Sequence, residues 1–65
     1  MKYQIGQIVL ATFKGDRWEE PFNLKGEIVD THEAVGDIET SYTVASHDDG
    51  ECYLVGESDV IKELK

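Results

Sequence analysis

One cysteine in 65 residues excludes an internal disulfide, and Cys52 has no second cysteine with which to form a zinc-type pair. A reducing, cytosolic compartment is the expected setting. Long apolar runs are missing too. Ile8-Val9-Leu10-Ala11 is far too short to span a bilayer, and Lys2 is followed by Tyr3 and Gln4 rather than by the apolar region of a signal peptide. No glycine-rich phosphate loop, repeat, linker or low-complexity tract is present. Positive charge is scarce: 6 Lys and Arg stand against 14 Asp and Glu, a net charge of −8. A field of that sign repels phosphate backbones and anionic lipid and attracts basic partners, although acidity also serves solubility alone.

The acidity is uneven. Residues 1–18 carry Lys2, Lys14 and Arg17 against Asp16, whereas residues 19–65 carry three lysines against thirteen carboxylates. The length fits one domain, residues 1–65, with a thin stability margin.

The strongest local signal is a hairpin over residues 41–55, SYTVASHDDGECYLV. Tyr42 and Val44 alternate with Thr43 and Ala45, the period of a strand, and Cys52 to Val55 form a second apolar run. His47-Asp48-Asp49-Gly50-Glu51 lies between them. Asp bonds nearby backbone amides, and Gly supplies a positive φ. Upstream, residues 5–13 (IGQIVLATF) read as a first strand, with Ile8, Leu10 and Thr12 on one face and Val9, Ala11 and Phe13 on the other. Gly6 permits a bend before it. Residues 14–21, KGDRWEEP, form a loop. Residues 22–30, FNLKGEIVD, form a second strand in which Phe22, Leu24, Gly26 and Ile28 share a face. Gly26 there signals a bulge or a close backbone approach. Residues 31–38 form a second loop that Val35 and Ile38 could extend into a ragged hairpin. After Gly56, Ser58 is read as the cap of a single 3-10 or α turn. Residues 61–64 then form either a last strand or, since Val60 and Leu64 are four apart, part of a helix from Ser58. The strand is preferred because it removes an exposed sheet edge.

Five short strands, a long first loop and one helical turn before the last strand make the plan of an SH3-like barrel. IGQIVLATF, then Trp18, then KGEIV, then YTVASHDDGECYLVGESDVI resemble, in order and spacing, the Tudor branch of that fold. Tudor domains tend to read G-x-x-V-x-A near the start, W-Y in the first loop and V-x-F-D-D-G in the third-to-fourth hairpin. DDGEC followed by LVGESDVI is similar to that hairpin in Tudor domains of DNA-damage checkpoint proteins. LKGEIVD carries a more distant likeness to KOW domains, which bind RNA or the transcription machinery but are usually basic. The resemblance spans residues 5–64. It implies an all-β, five-stranded SH3-like/Tudor-like barrel with a single 3-10 turn before the last strand.

Tudor domains that read methylated lysine or arginine do so with an aromatic cage, through cation–π attraction beside a carboxylate. On the resemblance Phe13 falls at the first cage aromatic and Asp49 at the carboxylate. His47 and Glu51 stand where aromatics are usual, and Leu24 stands near a further one, so at least two walls are missing. Trp18, Phe22, Tyr42 and Tyr53 are the remaining aromatics from which a groove could be rebuilt. Core or rim packing is the competing reading for Phe13, Phe22 and Tyr42. Trp18, flanked by Arg17, Glu19 and Glu20, is read as a contact residue or a lid. With Asp16, Glu19 and Glu20 it resembles the acidic first loop by which SH3 domains hold Arg or Lys of a proline-rich ligand. The SH3 tyrosine pair is absent, so only that surface carries over.

His47, Asp48, Asp49 and Glu51 lack the spacing of a calcium loop and are read as a turn. His32 with Glu33 and Asp37 is read as a solvated loop. Cys52 is expected to be buried and structural, since a nucleophile needs a base, an orienting group and a pocket. The expected function is therefore non-enzymatic and cofactor-free. An acidic module would recognise a basic protein or peptide through Phe13, Asp16, Trp18, Glu19, Glu20, Tyr42, His47, Asp49 and Glu51. The alternatives are a small phage or mobile-element inhibitor that mimics nucleic acid, a methyl-lysine or methyl-arginine reader with a degenerate cage, and an accessory subunit that pairs by strand addition.

Overall fold

Alternating burial along the chain marks the strands of a computed structural model that describes residues 2–15 and 18–65. The strands are β1 (Ile8–Phe13), β2 (Phe22–His32), β3 (Ser41–Ser46), β4 (Cys52–Gly56) and β5 (Val60–Glu63), with a 3-10 turn at Glu57–Asp59. All pairings are antiparallel, in the order β4-β3-β2-β1-β5. Among the described residues, no helix is long and apolar enough to cross a membrane.

The core lies on one face of this sheet: Val9 and Ala11 from β1, Leu24 and Ile28 from β2, Tyr42 and Val44 from β3, Val55 from β4 and Val60 from β5. Each buried Val, Leu or Ile side chain contributes about 1.5–3 kcal/mol. The sheet covers these residues by curling on itself, so that β1 lies against β4 across the concave face although the two are not neighbours in the ladder. β4 and β5 are not hydrogen-bonded to each other, so the sheet is not closed.

β2 makes the curl. Its register runs from Phe13↔Phe22 to Ile8↔Glu27 with β1, and from Gly26↔Ser46 to His32↔Ser41 with β3. Gly26 answers to a close approach: a Cβ there would stand 2.1 Å from the carbonyl oxygen of Ala45. The bulge falls instead between Ile28 and Asp30. β1 begins at Ile8, later than the apolar pattern suggests, because residues 5–6 turn and Gly6 donates its amide to the Ile28 carbonyl. The ragged hairpin between β2 and β3 is present: Val35 and Ile38 exchange both backbone hydrogen bonds, at 3.0 and 2.9 Å.

The β3–β4 hairpin turns through residues 47–50. Ser46 donates to the Glu51 carbonyl at 2.8 Å and Gly50 to the Ser46 carbonyl at 3.0 Å. Gly50 has φ +73° in open space. A side chain there meets no neighbour, so the penalty is conformational alone. Gly50→Ala should destabilise by about 1 kcal/mol, and a thermal melt should fall by roughly 4–8 °C. An unchanged melt would contradict the turn geometry.

The chain ends in a strand, not a helix, and Ser58 does not cap the turn before it. The 3-10 turn has no side-chain cap. Glu39 serves it instead: its carboxylate accepts the Ser58 amide at 2.8 Å and the Ser58 hydroxyl at 2.9 Å. A purely local capping rule does not foresee a partner brought in from before β3.

Candidate functional site

Phe13 and Phe22 are cross-strand partners at the ends of β1 and β2, where the first loop leaves and re-enters the sheet. Tyr53 shares the inner parity of β4 with Val55 and closes a three-ring cluster with them. The ring centroids lie 5.7 Å (Phe13–Phe22), 5.1 Å (Phe13–Tyr53) and 5.4 Å (Phe22–Tyr53) apart. Such tilted and T-shaped contacts add to the burial energy of the rings. Phe22 remains 36 % exposed, so the cluster opens to solvent at the end of the sheet.

Carboxylates surround this cluster. Asp49 accepts the Tyr53 hydroxyl at 2.6 Å through one oxygen and the Glu51 amide at 2.8 Å through the other. The Tyr53 hydroxyl and then the Glu51 amide hold the Asp49 carboxyl below its usual range. Tyr53 is pushed up to about 12, first by its bond to Asp49, then by desolvation and by the fields of Asp49, Glu51 and Glu19. The charges of Glu51 in the hairpin and Glu19 in the first loop both push this phenol up. Trp18 is 86 % exposed in that first loop, and Glu19 and Glu20 are exposed beside it. Asp16 lies outside the described residues.

The neutral phenol of Tyr53 is the form that the fold favours. Its contribution to stability is complete below the ordinary tyrosine value of 10 and is lost as pH rises from there through about 12. Asp49→Asn removes the first cause and should bring the ionisation of Tyr53 down toward 10. Tyrosinate absorbance, read as a difference against Tyr53→Phe, checks this. An unmoved titration in Asp49→Asn would remove Asp49 as the cause.

Tyr42 does not belong to this site. It is fully buried in the core, with its ring edge-on to Tyr3 at 5.7 Å. Its hydroxyl donates to Glu57 at 2.5 Å and accepts the Tyr3 amide at 3.2 Å. Its parity with Val44 turns it inward. Cys52 is likewise corrected: it is exposed, because it lies on the outward parity of an edge strand. Leu24 is buried and offers no wall. His47 is exposed in the hairpin turn, where its amide donates to the Lys25 carbonyl. Of the expected binding residues, Phe13 packs on Tyr53, Asp49 accepts its hydroxyl, and Glu51 donates its amide to Asp49. Phe22 and Tyr53, not Tyr42, supply the other rings. The signal for Phe22 was its symmetry with Phe13 about the first loop.

In the plane of the three centroids the point equidistant from them lies only ~3 Å from each, inside van der Waals contact, so the rings pack against one another there. Among the described residues, no group of three or more His, Cys, Asp or Glu is arranged to hold a metal ion. An open depression of about 430 Å³, lined by Tyr3, Gln4, Ile5 and Thr31, lies at the opposite end of β2 from Phe22.

No family model, curated protein or solved structure matches this chain.

Proposed function

We propose that the chain is a Tudor-like member of the SH3-like small β-barrels, and that it binds a basic protein or peptide without catalysing a reaction. The strand order, the long first loop and the 3-10 turn before β5 support the fold reading. One observation carries the functional reading: the exposed end of the Phe13–Phe22–Tyr53 cluster lies within the field of Asp49, Glu51 and Glu19. Aromatic area beside carboxylates suits lysine or arginine side chains laid flat on the rings, with the surrounding negative field speeding encounter. The setting would be a reducing compartment, where exposed Cys52 stays a thiol. The nucleic-acid-mimic reading draws on net charge alone. Glu39, Asp49 and Glu57 are already engaged in hydrogen bonds that hold the fold.

The test is binding of an arginine- and lysine-rich peptide to the immobilised chain. Trp18→Ala should raise the dissociation rate about tenfold and leave the association rate unchanged. Glu19 and Glu20 reversed to lysine should lower the association rate and flatten its dependence on salt. Unchanged kinetics in both variants would place any interface elsewhere.

A further inference from the structure

The two edges of the sheet are guarded differently. β5 is four residues long, carries Lys62, and shifts register against β1 between Leu10 and Ala11. A short strand, an edge lysine and a bulge are the devices by which sheet edges resist pairing with another chain. β4 is one residue longer and carries neither the lysine nor the bulge. Cys52-Tyr53-Leu54-Val55-Gly56 is uncharged, lacks proline, and keeps an unbroken register with β3 from Ala45↔Cys52 to Ser41↔Gly56.

The bonds from Ser46 to the Glu51 carbonyl and from Glu57 to the Thr40 carbonyl bracket that ladder. Antiparallel alternation between them turns the backbone groups of Tyr53 and Val55 toward β3 and those of Cys52, Leu54 and Gly56 outward. Among the described residues, no strand pairs with that outward side. Cys52 is exposed, and the Leu54 side chain is 58 % exposed.

Both ends of this edge are acidic. Asp48, Asp49 and Glu51 precede β4, Glu57 and Asp59 follow it, and the Glu39 carboxylate stands against Gly56. Two copies paired antiparallel through β4 would set Glu51 of one chain toward Glu57 of the other, with a net charge of −8 on each. Like charges across a strand pair are destabilising. The same arrangement favours a strand of opposite charge.

We propose that the β4 edge docks an extended, basic segment of a partner protein, which adds a strand to the sheet with an apolar residue against Leu54 and lysine or arginine at its flanks. Only the charge of the ligand is shared with the function proposed above. Here the contact is backbone to backbone, whereas at the aromatic end it is made by side chains.

The isotopically labelled full chain is titrated, by NMR, with a peptide of alternating lysine and valine, and with the same peptide N-methylated at every residue. N-methylation keeps every charge but removes the ladder donors. The first peptide should protect the Cys52 and Leu54 amides from solvent exchange, and the second should bind about tenfold more weakly or worse. Equal affinity, with shifts confined to Trp18, Glu19 and Glu51, would overturn edge docking while leaving the proposed function standing. Failure of both peptides to bind would overturn it as well. Self-association of the free chain that protects the same amides and is removed by Leu54→Lys would assign the edge to a second copy and overturn the proposal.

Discussion

Gly26→Ala is expected to leave the chain largely unfolded at 25 °C. The added methyl would lie 2.1 Å from the Ala45 carbonyl oxygen, 2.8 Å from its carbon and 2.9 Å from a methyl of Val44. The nearest obstacles are backbone atoms of the neighbouring strand, so no side-chain rotation relieves them. β2 and β3 would have to separate at the point where β2 is paired on both sides. Overpacking on this scale costs about 3 kcal/mol or more. A domain of this length has roughly 3–10 kcal/mol in total. Far-UV circular dichroism and NMR dispersion read the outcome. A cooperative melt near the wild-type temperature would show that the strands can part without loss of the sheet. Gly50→Ala is the contrasting case, since its methyl enters open space.

Tyr42→Ala should be comparably severe, and Tyr42→Phe separates its two contributions. Tyr42 is the largest of the fully buried side chains. Truncation to alanine leaves a cavity in a core with no second layer to collapse into it, at a cost of about 3–5 kcal/mol. Phenylalanine keeps the ring and loses only the hydroxyl bonded to Glu57 and to the Tyr3 amide, for about 1–2 kcal/mol. The hydroxyl also carries a pH signature. The Tyr42 hydroxyl, as the largest cause, and then the Lys2 amide hold the Glu57 carboxyl below its ordinary value of 4.5. The resulting stabilisation is present above that value and disappears as pH falls through the lowered one. Melts of wild type and Tyr42→Phe should therefore differ most near neutrality and converge on acidification below about pH 4. A constant difference across that range would mean that the hydroxyl acts without Glu57.

The elements themselves were legible because alternation survives in a chain this short. Val9 with Ala11, Leu24 with Ile28, and Tyr42 with Val44 each share the parity that the fold buries. Parity failed where it carried no contrast. In Cys52-Tyr53-Leu54-Val55 both parities are apolar, so composition could not say that Cys52 and Leu54 face solvent on an edge strand. Ser58 looked like a cap because capping is local. Its actual partner, Glu39, is 19 residues away and belongs to no motif. Phe22 has the inward parity of Leu24 but lies at the end of the sheet, where the inner face opens outward. The acidic end was foreseeable as two loops of one polarity. The identity of the rings between them required knowing that β4 crosses over β1.

The pairing of β1 with both β2 and β5 sets an order of assembly. β1 meets β2 across the first loop, and β2–β3 and β3–β4 are also neighbours along the chain. The β1–β5 seam is different: Val9 pairs with Glu63, and Ile8 exchanges backbone hydrogen bonds with Leu64 and Lys65. Closing it joins residues more than fifty positions apart, and the entropy lost grows with the intervening length. Contacts of such separation slow folding relative to the hairpins. A four-stranded intermediate would hold Val9 and Ala11 with one flank bare until Val60 and the residues after it dock. That interval is when the folding chain is most open to proteases and to chaperones that grip unpaired strands.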